Sequence, residues 1–141
     1  MQTPRVPERL AFEVHRRTRW SDEDTQGVLN NAVYLTLLEE ARHAYFEKLG
    51  LLADNHFPFL LAQTNVKFLA PGRGGIEVVV EMATTRLGTR SLEQAYRIRE
   101  AQGGKVLCEA EALLVTYDAE LGRSVPMSDA FRAAMAGFEG L

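Results

Sequence analysis

Between residues 10 and 18 apolar and polar side chains alternate, with Phe12 and Val14 on one side and Glu13, His15 and Arg17 on the other. Period two predicts a strand. From 32 to 49 the pattern changes to an uninterrupted helical run without Gly or Pro. At 100° per residue, Thr36, Glu39, Glu40, His43 and Glu47 gather into one polar stripe under about 100° wide. Val33, Tyr34, Leu35, Leu37, Leu38, Ala41, Ala44, Tyr45, Phe46 and Leu49 cover nearly all the rest. A surface helix needs only about a third of its circumference apolar, so this one is expected to be wrapped on most sides. Asn30 or Asn31 is placed to cap it, and Gly50 fits the position that ends a helix.

After an irregular connection over 51–61, four strands are predicted. The first, 62–69, is stopped by Ala70-Pro71-Gly72, and the second, 76–86, is rich in Val and Thr. A turn containing Gly88 separates it from the third, 91–100. Gln102-Gly103-Gly104 is the tightest hairpin signal, and the last strand covers 105–117. A turn at 118–122 and a short helix over 129–137, capped by Ser128, complete the chain. Strand, long helix, then four strands in meander make an α+β domain with an antiparallel sheet.

The 141 residues form one domain, with 1–9 as a loose lead-in carrying two prolines. That length buries a core without disulfide or metal. Net charge is −3, with Arg and Lys dispersed, which weighs against a nucleic-acid or anionic-membrane partner. The lone Cys108 lies in a strand and reads as a small core residue. With no apolar run at the N-terminus or long enough to span a membrane, the expected location is the cytoplasm. No Gly-x-Ser-x-Gly, P-loop or Gly-x-Gly-x-x-Gly occurs, and His15, His43 and His56 lack metal-ligand spacing. No cofactor and no metal are expected.

The strongest candidate for chemistry is the polar loop before the long helix. Asp22, Glu23 and Asp24 are followed by Gly27 and Asn30-Asn31. Carboxylates there face a helix entrance with unpaired backbone N–H groups and a positive dipole end. A solvated acidic turn is the bland alternative.

Asp24-Thr25-Gln26-Gly27-Val28-Leu29-Asn30-Asn31-Ala32-Val33-Tyr34-Leu35, followed by Leu38-Glu39-Glu40-Ala41-Arg42, resembles the signature of hotdog-fold acyl-CoA thioesterases of the 4-hydroxybenzoyl-CoA thioesterase type. The strand–helix–four-strand order extends the resemblance over the whole chain. It implies a hotdog fold, a curved antiparallel sheet around one central helix, in a homodimer that often pairs again to a homotetramer. It implies an acyl-CoA substrate bound at the subunit interface, with Asp24 as catalytic carboxylate and the Asn31 backbone N–H polarising the thioester carbonyl. Gly27 and Tyr34 are expected at the acyl site, and Arg90 and Ser91 are expected to hold CoA phosphate. Val28 stands where many relatives carry His. Thioester hydrolysis requires attack on the carbonyl and stabilisation of an oxyanion. Asp24 serves either as base for water or as nucleophile forming an anhydride.

Three other readings compete. Glu39 and Glu40 lie on the helix, where some hotdog thioesterases carry their carboxylate. Glu40, nine residues beyond Asn31, is about 13 Å from the entrance along the axis, so both are read as solvent or interface residues. His56-Phe57-Pro58 resembles the His-Phe-Pro of hotdog dehydratases, but follows the helix instead of preceding it. An acyl-CoA-binding module without turnover is the non-enzymatic alternative.

Overall fold

A computed structural model describes residues 6–141; the first five residues of the expected lead-in lie outside the described residues. The strands are β1 (Phe12–Arg17), β2 (Phe59–Phe68), β3 (Glu77–Leu87), β4 (Ser91–Glu100), β5 (Val106–Asp118) and β6 (Arg123–Ser124). The helices are α1 (Asn31–Lys48) and α2 (Asp129–Glu139), and a 3-10 turn covers Trp20–Asp22. All pairings are antiparallel, in the order β1-β3-β4-β5-β2, with β6 added to β5. The sheet wraps α1, which is the hotdog arrangement.

Asn30 caps α1 by accepting the Ala32 N–H at 2.9 Å. At the other end Gly50 has φ 71°, a conformation that favours glycine, and terminates the helix. Tyr34, Leu37, Leu38, Ala41, Tyr45 and Phe46 are buried against Val78, Val80, Met82, Leu92, Tyr96, Ile98 and Leu114 of the sheet. Burying each large side chain of this face stabilises by roughly 1.5–3 kcal/mol, so tertiary packing holds α1 in place. Cys108 is in this core, and burial, assisted by the Glu109 charge, pushes its thiol up to about 12. At neutral pH it is a packed thiol.

Several expectations need correction. The four later strands are not a simple meander: β3, β4 and β5 are, but β2 pairs with β5 at the edge opposite β1. The segment after Phe68 carries Pro71 and Gly72 and crosses to the far side of the sheet, whereas the true hairpins turn at Gly88 and at Gly103-Gly104. β2 also starts at Phe59 instead of 62. The lead-in is not loose throughout, since Arg97 donates to Glu8 O at 3.1 Å and Pro7 O at 2.9 Å.

Arg42, part of the helix repeat, is buried with 5% exposure. Its Nε donates to Tyr96 OH (2.8 Å), which donates to Gln94 Oε1 (2.5 Å). Gln94 Nε2 donates to Thr84 Oγ1 (3.1 Å), itself 2.9 Å from Tyr45 OH. Tyr45 OH and the Thr84 backbone N–H both donate to Glu139 Oε2, at 2.6 and 2.8 Å. This chain of bonds ties α1 through the sheet to α2 and satisfies the polar groups buried between them. No helix among the described residues is long and apolar enough to cross a membrane.

Candidate active site

The chain leaves β1 at Thr18, whose hydroxyl donates to Arg73 O at 2.7 Å, while Gly75 N–H donates to Thr18 O at 2.9 Å. The 3-10 turn follows. Asp22 closes it by accepting from Arg19 N–H (2.8 Å) and from the Arg19 guanidinium (3.0 Å). Burial works to raise the Asp22 pKa, but the Arg19 hydrogen bonds and charge outweigh it and hold the carboxyl below its ordinary value. Glu23 turns the other way and accepts the Gly74 N–H at 2.9 Å. A Cβ on Gly74 would collide with the Arg19 backbone carbonyl, so only glycine allows this approach. Asp22 and Glu23 therefore anchor the loop.

Asp24 is exposed. Its Oδ1 accepts the Gln26 N–H at 2.8 Å in a local turn, which leaves Oδ2 open. Its backbone N–H reaches Val28 O at 2.8 Å, and Gly27, with φ 77°, reverses the chain between them. The return strand is fixed by a bridge between Glu23 and Leu29, by Leu29 N–H to Gly72 O (3.0 Å) and by Asn30 N–H to Asp22 O (2.9 Å). At the helix entrance Asn30 accepts both the Ala32 N–H, on its side chain, and the Val33 N–H, on its carbonyl. Among the described residues the Asn31 N–H has no acceptor. It is the remaining donor of the first turn and points the positive end of the α1 dipole at whatever binds there.

Beside Asn31 lies a cleft of about 260 Å³ lined by Val28, Leu29, Asn31, Tyr34, Phe68, Leu69, Ala70 and Pro71. Tyr34 is 2% exposed and meets Phe68 edge-on at 5.3 Å. Gly72 fits under it: a Cβ there would come within 2.8 Å of Tyr34 OH and 2.7 Å of Leu29 Cδ1. Asp24, Gly27, Asn31 and Tyr34 are thus gathered at one end of α1.

Arg90 and Ser91 are not gathered with them. Thr116 N–H donates to Arg90 O at 3.0 Å, and Arg90 Nη1 donates to Ser124 O at 3.1 Å. The other end of β5 is at Cys108, opposite Phe68. Eight residues of strand separate the two, about 26 Å at 3.3 Å each. A turn signal in the sequence carries no information about which end of the sheet it closes. His56 is also remote, on the loop beyond the C-terminus of α1, with Asp54 and Asn55 at φ 51° and 64° making its turn. Glu40 pairs with Arg16 at 3.0 Å and Glu39 is exposed on the helix flank. Gly72 and Gly74 are required by the close approach of the two loops; in the sequence Pro71-Gly72 signalled a strand stop but not that contact.

A profile of the thioesterase-like superfamily matches residues 18–135. The chain is 30% identical over 107 residues to the acyl-CoA thioester hydrolase YbgC of Escherichia coli, covering 72% of this chain and 78% of that one. It is 26% identical over 110 residues to the acyl-acyl carrier protein thioesterase ATL3 of Arabidopsis thaliana. The matches span 75% and 60% of this chain but only 58% and 45% of ATL3 and of its Arabidopsis relative ATL2. A thioesterase from Thermus thermophilus, solved with coenzyme A and zinc, superimposes with a TM-score of 0.83 at 30% identity, covering 96% of this chain and 99% of that one.

Proposed function

The chain belongs to the thioesterase-like superfamily, and we propose that it hydrolyses an acyl-CoA thioester to the free acid and CoA. The observation that carries this reading is the pairing of an open carboxylate with an unengaged donor. Among the described residues Asp24 Oδ2 has no partner, and the Asn31 N–H is the donor of the first turn of α1 that Asn30 leaves free. The thioester carbonyl oxygen takes the Asn31 N–H, which favours the charge developing on it during attack. Asp24 then acts by one of two routes. It takes a proton from water as the water oxygen bonds to the carbonyl carbon, or its own oxygen bonds to that carbon and water later opens the anhydride. Either route breaks the carbon–sulfur bond, and the thiolate leaves readily without a strong acid.

The acyl group lies in the apolar cleft beside Tyr34 and Phe68. Gly27 contributes the reversal that carries Asp24 back toward the helix. The finer 4-hydroxybenzoyl-CoA type rests on residues 24–42, and the similarity to YbgC, an acyl-CoA thioester hydrolase, supports CoA as carrier. The working unit is a homodimer or homotetramer, supported by the open edge of β2 with its exposed Leu60, Leu61 and Phe68, and by the adjoining exposed Leu69. Arg90 and Ser91 lie at the far end of the protomer from Asp24.

A panel of short, long and aryl acyl-CoAs, with released CoA read by a thiol reagent, tests the reading. Turnover of at least one class is expected. Binding without release would replace hydrolysis by a binding module, and hydration of crotonyl-CoA dependent on His56 would replace it by a hydratase.

A further inference from the structure

The acyl cleft occupies one flank of the first turns of α1. On the opposite flank a second cleft, of about 390 Å³, is lined by Arg16, Arg17, Arg19 and Asp22 from the chain leaving β1, and by Val33, Thr36, Leu37 and Glu40 of the helix. Two of its guanidinium groups have carboxylate partners, Arg16 with Glu40 and Arg19 with Asp22, each at 3.0 Å. Arg17 has none among the described residues and rests on Gly75 O at 2.9 Å. Trp20, next in the chain to the lining residue Arg19, is 83% exposed. The backbone beneath it is rigid: a Cβ on Gly74 would stand 2.8 Å from Trp20 Cα, and Glu23 N–H donates to Trp20 O at 3.2 Å. Arg73, next to Gly74, is exposed on the same corner.

We propose that this cationic cleft and the Trp20 indole take the nucleotide end of the CoA substrate, the adenine stacked on Trp20 and its phosphates facing Arg17 and Arg19. This rests on the acyl-CoA reading above. An acyl-CoA is apolar at one end and anionic at the other, with a diphosphate and a 3′-phosphate. The two clefts flanking the helix entrance have the matching characters, and the thioester falls between them at Asp24 and Asn31. Trp20 is four residues from Asp24, no more than about 14 Å of chain, a distance the pantetheine arm spans. An aromatic face supplies sequence-tolerant stacking for a base, and arginine forks suit phosphate. The Arg90–Ser91 turn, at the far end of the same protomer, is the rival location.

Trp20 is the single tryptophan of the chain, so its fluorescence reports on this corner directly. Titration with CoA and with adenosine 3′,5′-bisphosphate is expected to quench it, and titration with pantetheine is not. In kinetics, Trp20→Ala and Arg17→Gln are each expected to lower the ratio of kcat/KM for an acyl-CoA to that for the matching acyl-N-acetylcysteamine thioester, about tenfold for loss of base stacking. Because the second substrate lacks the nucleotide, a merely structural role would lower both values together and leave the ratio unmoved. Arg90→Ala is expected to leave the ratio unchanged. The proposal is overturned if CoA at concentrations that inhibit hydrolysis leaves the fluorescence unaltered, or if only Arg90→Ala moves the ratio. Quenching by CoA in a protein that releases no thiol from any thioester would keep the nucleotide site and remove the hydrolase reading. Turnover confined to acyl carrier protein thioesters, without quenching by CoA, would remove the nucleotide site and keep the hydrolase.

Discussion

Asp22 and Asp24 are two residues apart, and their hydrogen bonds give them different work. Asp22 spends both oxygens on Arg19 and its backbone carbonyl on Asn30, while Asp24 keeps one oxygen open. Asp24→Asn keeps shape and the Gln26 contact but removes the base, so kcat should fall at least about a hundredfold. Asp22→Asn should cost far less in turnover. Equal small losses in steady-state assays, or a larger loss for Asp22→Asn, would move the catalytic assignment. The folded pKa of Asp22 is held below its ordinary 3.8. Its stabilisation is therefore fully present above that value and is lost as pH falls through the lower folded pKa. The melting-temperature difference between the parent protein and Asp22→Asn should be full near neutrality and shrink in acid below about pH 4. A difference that widened there would contradict the sign.

At the scale of elements, α1 is held by its apolar face and by the polar chain from Arg42 to Glu139. The last link binds α2 to β3. One carboxylate oxygen accepts both the Tyr45 hydroxyl and the Thr84 N–H, at a point where the β3–β4 register shifts between Thr84 and Arg86. On the other side of β3, however, β1 ends at Phe12, opposite Met82, and this leaves the Thr84 N–H to find its acceptor outside the ladder. Glu139→Ala should cost about 1–3 kcal/mol by stranding buried donors, and Glu139→Gln, which keeps an acceptor, should cost less. Urea unfolding of the two variants measures the difference. Equal stability of parent and Glu139→Ala would show that α2 does not depend on the link. The loop that carries Asp24 is built from the opposite end of α1, so turnover should survive in whatever fraction of Glu139→Gln remains folded.

For the whole molecule, the sheet closes on α1 but leaves β2 as an edge with exposed Leu60, Leu61 and Phe68, and Leu69 exposed just beyond it. An edge of this kind is a template for pairing with another strand. Light scattering is expected to give a dimer or a tetramer, and Leu61→Lys should shift the mass toward the monomer. A strict monomer for the parent protein would count against the assembly, and an unmoved mass for Leu61→Lys would place the contact elsewhere. Antiparallel pairing of two β2 strands would set the Phe59 end of one protomer beside the Phe68 end of the other. That is the geometry in which a partner's Arg90 could approach the helix entrance, so the Arg90→Ala kinetics also bear on assembly.

Local patterning was enough to define most elements, because helix and strand periods are written into neighbouring residues. β4 matches its predicted bounds, and α1, β3 and β5 are offset by about one residue, within the usual uncertainty of element ends. The Asp24–Gly27–Asn31 spacing was equally visible, since a loop, its reversing glycine and a helix entrance are contiguous in the chain. What sequence order could not supply was adjacency between distant segments. The placement of β2 against β5, the distance of Arg90 from Asp24, and the burial of Arg42 beside Tyr96 follow from how the sheet curls, not from any local period. The same holds for Gly72 and Gly74, whose missing side chains matter only because loops 19–31 and 70–76 meet. Tertiary contact also separated Asp22 from Asp24: two similar carboxylates became an anchor and a carboxylate with one open oxygen only when Arg19 folded back onto one of them.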